Sequence, residues 1–122
     1  MQYVRLYAGP ESESHFEDVA VALDPVDFAP PAPPLHVSAF LPVARLGFLG
    51  APPGWRGDWH PTPRRKFLVF LSGASGVQAS DGEVRHFKAG DVLLLEDTTG
   101  KGHVSWAEAD EDVLSVVVQA PD

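Results

Sequence analysis

The stretch from Gly54 to Gly73 holds a cluster of side chains that could carry chemistry. It reads GWRGDWHPTPRRKFLVFLSG and contains His60, Thr62 and Lys66 at fixed short spacings. An imidazole binds transition metals or moves protons near neutral pH. An ammonium group binds anions, and a buried lysine that has lost its proton serves as a general base. This stretch is therefore the first place to look for a site.

A second stretch, from Gly90 to His103, adds the adjacent carboxylates Glu96 and Asp97. The glycine-rich run before His103 lacks the glycine spacing of a phosphate-binding P-loop. The chain contains no cysteine, which excludes disulfides, thiolate ligands and thiol catalysis. It also contains no Gly-x-Ser-x-Gly elbow for a nucleophilic serine. Histidine, lysine and carboxylate chemistry is what remains.

The first stretch is similar to the first signature of the cupin family, in which a glycine precedes a His-x-His, a glutamate and a second glycine. His60 matches the first histidine, whereas Thr62 and Lys66 stand at the places of the second histidine and the glutamate. The second stretch resembles the second cupin signature, with Glu96 in place of the proline and a loop two residues longer before His103. The nearest resemblance is to small single-domain bacterial cupins of an uncharacterised subgroup.

The resemblance implies an all-β fold, a cupin-like jelly-roll β-barrel with an N-terminal arm. We expect one domain over residues 1–122, with the arm and a proline-rich crossing in 1–42 and the barrel with both motifs in 43–122. Short apolar runs separated by turn residues favour the same antiparallel architecture. Asp81-Gly82 predicts a tight hairpin, because Asp-Gly readily adopts the positive φ of such turns. The predicted strands are Tyr3–Tyr7, Val19–Leu23, Val43–Leu49, Phe67–Ser72, Val77–Ser80, Glu83–Phe87, Val92–Glu96, His103–Ala107 and Val113–Gln119.

The resemblance also implies that His60 and His103 face the barrel interior as ligands of one divalent transition metal. Zinc, iron, nickel or manganese would suit such a site. Because a catalytic site usually takes three protein ligands, Glu96 or Asp97 is the candidate for the third. The alternative is that both histidines are hydrogen-bonded structural residues and that no metal binds.

Lys66 offers a metal-free alternative, since its motif position points it inward. Its ammonium group would then occupy the place of the metal and pair with Glu96 or Asp97. Lys66, Glu96 and Asp97 are accordingly the candidate catalytic residues. An outward Lys66 would instead be an ordinary surface lysine.

Arg65 and Trp59 are the candidate ligand-binding residues outside the motif positions. At a barrel mouth, the guanidinium of Arg65 would bind a carboxylate through two hydrogen bonds. Trp59 would line an apolar pocket. Solvent exposure for Arg65 and simple packing for Trp59 are the alternative interpretations.

The composition narrows the partners. The chain has 122 residues and a net charge of −8, and a surface that negative repels phosphate backbones, so no nucleic acid is expected. No apolar run is long enough to span a bilayer and the N-terminus does not resemble a signal peptide. We therefore expect a cytoplasmic protein without a membrane partner.

Three apolar runs carry no polar alternation: Phe67–Leu71, Val92–Leu95 and Val116–Val118. A strand with one face in water should alternate apolar and polar residues. Something must therefore cover the outer face of these strands, and the candidates are the N-terminal arm or a second subunit. The second candidate is the hypothesis of a homodimer.

Three functions stay open. The first is a small-molecule pocket inside the barrel, with a weak or unusual divalent-metal site. The second is a metal-dependent enzyme of oxygenase or isomerase type that uses His60 and His103. The third is a non-catalytic structural or regulatory dimer. Fold alone does not choose among them, because one fold hosts many activities.

Overall fold

The chain is built almost entirely of β-strands. The computed structural model describes residues 1–108 and 110–122. In chain order the strands are β1 Gln2–Ala8, β2 Ser14–Ala20, β3 Asp24–Val26, β4 Leu35–Val37, β5 Arg45–Ala51, β6 Lys66–Ser72, β7 Ala74–Ala79, β8 Val84–Lys88, β9 Val92–Glu96, β10 His103–Ala107 and β11 Val113–Gln119, with a short 3₁₀ turn at Pro10–Ser12. The prediction of an all-β chain is confirmed.

The strands form two main sheets and a separate hairpin. The larger sheet has the order β2-β1-β9-β6-β11-β5, and the smaller sheet has the order β10-β7-β8. Neighbouring strands are antiparallel except for β1, which runs parallel to β9. Strands β3 and β4 pair only with each other. The sheets face one another as in a jelly roll without closing into a continuous barrel.

The predicted strands agree with the structure best where the sequence is most apolar. Strands β9, β10 and β11 have the predicted bounds, and the Asp81-Gly82 hairpin joins β7 to β8 with Gly82 at φ 101°. The strand predicted at Val19–Leu23 lies earlier, as β2. Its polar sequence hides a period-two pattern, because Ser14 and Phe16 turn inward and are buried while His15 between them is not.

The core fills the space between the two main sheets. Leu6 on β1 and Phe16 on β2 are direct cross-strand partners, and both are buried. Phe70 on β6 stacks on Phe87 on β8 with ring centroids 5.3 Å apart, which joins the larger sheet to the smaller one. The same cluster includes Val77, Ala79, Leu93, Leu95 and Val113. Burial of these side chains is the main force that holds the sheets together.

The outer face of the larger sheet is covered at one side only. Near β9, Tyr3 packs edge-on against Phe67 at 5.4 Å, and Leu94 is buried. Near β5, by contrast, Leu46 is 63% exposed and Phe48 is 79% exposed. Strands β1 and β2 extend the same sheet, so only side chains such as Tyr3 shield its apolar outer face, and the β5 side stays bare.

The proline-rich segment does not cover that bare side. Every residue from 22 to 46 is exposed except Val37 and Ser38, which are half-buried. Phe28 and Phe40 pack edge-to-face at 6.3 Å, yet both remain more than half exposed. Within the part of the chain that the structure describes, no helix is long and apolar enough to cross a membrane.

Candidate functional site

A cavity of about 450 Å³ lies between the two main sheets. Its walls are mostly apolar and include Leu49, Leu68, Leu93, Leu95, Val113 and Val117. Polar groups enter at a few points only, chiefly His60, Lys66, His103 and three serines. A volume of this size and a wall of this composition are typical of small-molecule pockets.

The two motif histidines meet at the edge of this cavity. The segment before His60 runs antiparallel to β10, and His60 and His103 exchange backbone hydrogen bonds of 3.1 and 3.0 Å. Gly102 makes the approach possible. It lies at φ 73°, and a Cβ atom there would be 2.0 Å from the carbonyl oxygen of His60. As a result the imidazole centroids are 4.9 Å apart, as the motif resemblance requires.

Asp97 anchors His103 from behind. Its carboxylate is fully buried and accepts hydrogen bonds from Thr62 Oγ1 at 2.7 Å and His103 Nδ1 at 2.6 Å. Thr62 also donates its backbone N–H to the Asp97 carbonyl at 2.9 Å. A buried carboxylate must be paired and hydrogen-bonded to be tolerated. Thr62, Asp97 and His103 therefore form one buried unit.

These contacts fix which nitrogen of each ring is free. A carboxylate and a backbone carbonyl only accept, so neutral His103 donates its Nδ1–H to Asp97, and His60 donates its Nδ1–H to Asp58 O at 2.7 Å. Among the described residues, no fully buried side-chain nitrogen or oxygen lacks a partner, and Nε2 of His103 makes no hydrogen bond. Nε2 of His103 is therefore accessible from the cavity that the ring lines.

The residues present do not supply a catalytic metal's ligand set. Metal-binding histidines commonly hold their second nitrogen against a carboxylate or carbonyl, and His60 and His103 both do so. A third ligand is missing, however. No group of three or more His, Cys, Asp or Glu side chains able to hold a metal occurs in residues 1–108 and 110–122. Asp97 already satisfies Thr62 and His103.

Glu96 and Arg65 lie away from the cavity. Leu95 lines the cavity, and because side chains alternate along a strand, Glu96 points to the opposite face. There Glu96 forms ion pairs with Arg5 and, at 3.0 Å, with Arg65. The hydrogen bond to Glu17, followed in size by the one to Glu96, raises the pKa of the Arg5 guanidinium. Glu96 and Arg65 thus belong to an outer charge cluster.

Lys66 lies where its motif position predicts, on the inner side of β6. It is half-buried and lines the cavity. The expected pairing with Glu96 or Asp97 is not formed among the described residues, because both carboxylates bind other partners. The amino group of Lys66 therefore lies at the wall of a mostly apolar cavity without an ion-pair partner among the described residues.

Trp59 is separated from the cavity, and two other tryptophans take the place expected for it. Trp59 is 51% exposed and lines a surface depression beside Ser80 and Lys101. Trp55 and Trp106 line the cavity instead. Trp106 lies so close to Gly76 that a Cβ atom there would be 2.3 Å from the indole ring.

Three cavity serines were not singled out from the sequence. Ser75, Ser105 and Ser115 lie on β7, β10 and β11 and line the same cavity. Their positions follow from period-two alternation along each strand. The signal was available, but only after the inward face of each strand was known.

The loop before His103 is fastened to the N-terminal strands. Lys101 pairs with Glu13 at 2.5 Å, its backbone N–H bonds Ser12 O at 3.0 Å, and Ser14 donates to Gly102 O at 2.7 Å. The hydrogen bond from Lys101, followed in size by the one from Ser80, lowers the pKa of the Glu13 carboxyl group. The two residues by which this loop exceeds the cupin motif thus lie in a stretch held by the N-terminal strands.

Comparison with known proteins supports the fold through solved structures. No protein-family model matches the chain, and neither does any curated protein. A Cupin 2 conserved barrel domain protein from Salinispora arenicola is similar over 62% of this chain and 60% of its own, with a TM-score of 0.51 and 24% identity. The Schizosaccharomyces pombe Cnp3 cupin domain matches 100% of this chain and 83% of its own, with a TM-score of 0.51 and 14% identity.

A third similar structure is Drosophila melanogaster CENP-C bound to CAL1, with a TM-score of 0.51, 14% identity and coverage of 71% of this chain and 68% of its own. These likenesses concern the fold alone. Together with the two facing sheets and the paired motif histidines, they identify the chain as a protein of the cupin fold, as the two sequence signatures predicted.

Proposed function

We propose that this chain binds a small, largely apolar monoanion, such as a carboxylate, inside the cavity between its sheets. The observation that carries the proposal is the charge of the wall. The chain has a net charge of −8, yet the described residues that line the cavity include Lys66 and two histidines and no Asp or Glu. In so acidic a chain, an acid-free wall with a lysine favours an anionic ligand.

The chemistry of the wall supports this ligand class. The aliphatic and aromatic side chains would take up an apolar body through the hydrophobic effect. Lys66 would bind the anionic group through a charge-assisted hydrogen bond, which is roughly twice as strong as a neutral one. The hydroxyl groups of the cavity serines offer further hydrogen-bond donors to the ligand. Such a ligand would match both the apolar side chains and the polar groups of the cavity wall.

The test compares two probes that differ only in the head group. Octanoate and octan-1-ol share the same apolar chain, and binding of each is measured by isothermal titration calorimetry and by the shift in melting temperature. A ligand that binds only the native state raises the melting temperature. We expect octanoate to bind more tightly, and Lys66→Met to weaken octanoate by roughly 10- to 100-fold while sparing octanol.

Lys88→Met is the matched control. Lys88 is exposed on β8, so this substitution removes the same charge and keeps the same stem outside the cavity. It should leave both affinities unchanged. If both variants lost octanoate affinity equally, the loss would come from the change in net charge and not from a contact with Lys66. Failure of both probes to bind the parent would contradict the pocket and favour a structural or regulatory role.

A second candidate is a weak divalent-metal site at Nε2 of His60 and His103. The observation that favours it is that both Nδ1 atoms are held by acceptors, which leaves both Nε2 atoms as ligands. Two imidazoles without a third protein ligand bind weakly. We therefore expect titration with Zn²⁺ or Ni²⁺ to give weak binding that His60→Ala abolishes.

The matched control is His36→Ala, because His36 lies on the separate hairpin. Metal binding that survives His60→Ala would place the ions elsewhere on the acidic surface. Stoichiometric metal in protein purified without chelators or a metal-affinity tag would instead indicate a tight site. That result would support the hypothesis of a metal-dependent enzyme of oxygenase or isomerase type.

A further inference from the structure

One buried polar side chain in the cavity wall has no partner in the protein. Ser115 on β11 is 3% exposed and lines the cavity between the two main sheets. Its hydroxyl group makes no hydrogen bond among the described residues, whereas every fully enclosed side-chain nitrogen or oxygen in them does make one. The hydroxyl group of Ser115 is therefore open to the cavity, and a molecule inside the cavity can bond it.

The other two cavity serines differ from Ser115. Ser75 is also buried, but its hydroxyl group donates to the Trp106 carbonyl at 3.1 Å. Ser105 is half-buried. Ser115 is thus the cavity serine that combines burial with an unused hydroxyl group. Because a buried hydroxyl group without a hydrogen-bond partner destabilises the folded state, Ser115 is a candidate for contact with a ligand.

The strands around Ser115 fix the position of its side chain. Its partners across the sheet are Leu49 on β5 and Phe70 on β6, and both line the cavity. The register between β11 and β6 shifts between Leu114 and Ser115, which marks a β-bulge. Bulges are frequent beside active sites, where they re-aim a side chain. The bulge here lies next to the unpartnered hydroxyl group.

Ser115 lies well away from Lys66, which the proposed function assigns to the anionic group of the ligand. Lys66 pairs with Gln119 between β6 and β11, and Ser115 precedes Gln119 by four residues on the same strand. At about 3.3 Å per residue, the two side chains start about 13 Å apart along the sheet. A carboxylate bound at Lys66 is too small to reach Ser115 as well. A second polar group of the ligand must do so.

The wall between these two groups indicates what joins the polar ends of the ligand. Leu68 and Val117 are cross-strand partners between Lys66 and Ser115, and both line the cavity. The wall is therefore apolar in its middle, with an amino group at one end and a hydroxyl group at the other. A serine hydroxyl group both donates and accepts, so it can bond a ligand hydroxyl group in either direction.

From these observations we infer that Ser115 determines specificity for the far end of the ligand, and that the cavity prefers a monocarboxylate whose apolar chain ends in a hydroxyl group. This inference rests on the proposed function, since Lys66 orients the ligand. An extended chain of eight carbons spans about 10 Å at about 1.5 Å per bond, and the flexible stem of lysine takes up the remaining gap. A site with its own polar group discriminates against a ligand that leaves that group unpaired.

The test compares octanoate with 8-hydroxyoctanoate, which differ only in the terminal hydroxyl group. Isothermal titration calorimetry measures both affinities. We expect the parent to bind 8-hydroxyoctanoate more tightly, whereas an entirely apolar wall would bind it less tightly, because its hydroxyl group would lose its water without a new partner. Ser115→Ala should weaken 8-hydroxyoctanoate by roughly 5- to 50-fold and change octanoate by less than about two-fold.

Ser75→Ala is the matched control, because it removes a hydroxyl group that is already bonded to Trp106 within the same cavity. It should keep the preference of the parent for 8-hydroxyoctanoate. The melting temperature without ligand gives a second readout. Ser115→Ala should not lower it, since no hydrogen bond within the protein is lost, whereas Ser75→Ala should lower it.

Octanoate separates two kinds of failure. If the parent binds neither acid, the proposed function fails and the inference fails with it. If the parent binds octanoate but binds 8-hydroxyoctanoate less tightly, the inference is overturned and the pocket for an apolar monoanion stands. The same conclusion follows if Ser115→Ala keeps the preference of the parent, or if Ser75→Ala loses it to the same extent.

Discussion

At the scale of single residues, the most constrained group is the carboxylate of Asp97. It is 0% exposed and holds Thr62 on one oxygen and His103 on the other. One sequence position that departs from the cupin motif, Thr62, thereby acquires a role. Thr62 replaces a motif histidine and orients the carboxylate that in turn orients His103.

Removal of either partner should therefore cost stability. Thr62→Val keeps the side-chain shape but leaves one oxygen of Asp97 with one hydrogen bond fewer, and we expect a loss of about 1–3 kcal/mol in the free energy of unfolding. Asp97→Ala should cost more, about 3–5 kcal/mol, because it deprives two buried donors of their acceptor. Urea denaturation measures both.

Thr99→Val serves as the control for the same chemical change. Thr99 is exposed in the loop before His103, and its substitution should change the free energy of unfolding by less than about 0.5 kcal/mol. If Thr62→Val were as mild as Thr99→Val, the hydrogen bond to Asp97 would contribute nothing measurable and the unit would not be held as described.

The motif resemblance implied that His60 and His103 face the interior and left the direction of Lys66 open, and all three residues line the cavity. It did not separate Glu96 from Asp97, since adjacent residues at a strand end differ only in direction. The structure sends Glu96 outward to Arg5 and Arg65 and buries Asp97. That choice depends on partners that are distant in sequence.

At the scale of elements, strong apolar patterns were predicted with the correct bounds and polar strands were not. Strand β9 is apolar over its first four residues and was predicted residue for residue. Strand β2 reads SHFEDVA, and its assignment depends on pairing with β1. Tertiary pairing decides such strands, because β-propensity reflects packing and context.

Two glycines explain how the elements approach closely enough to form the site. Gly102 lets the loop before β10 contact the His60 backbone, and Gly76 gives space to the Trp106 ring. The second close approach was not predictable from sequence, since a glycine within a strand pattern indicates only that something packs near it. What packs there is known once β7 and β10 are paired.

At the scale of the whole molecule, the net charge of −8 and the exposed apolar side chains of β5 have opposite effects on the homodimer that the sequence suggests. Two copies that each carry a charge of −8 repel at a distance. Burial of exposed apolar side chains such as Leu46 and Phe48 would hold them together once they meet. The balance of these two forces should depend on the salt concentration.

Added salt should therefore strengthen the dimer. Raising the ionic strength from about 0.01 to 0.15 M shortens the screening length from about 30 to 8 Å, which weakens the repulsion between the copies and leaves apolar burial in place. We expect the dissociation constant from sedimentation equilibrium to fall by roughly three- to ten-fold. Phe48→Glu puts a charge among the exposed apolar side chains of β5, so a folded Phe48→Glu protein should stay a monomer at both ionic strengths. An interface held by ion pairs would respond in the opposite direction, because screening weakens attraction between exposed charges. A dimer that dissociates as salt rises would therefore contradict an apolar contact at Phe48. It would point instead to charged surfaces elsewhere on the chain.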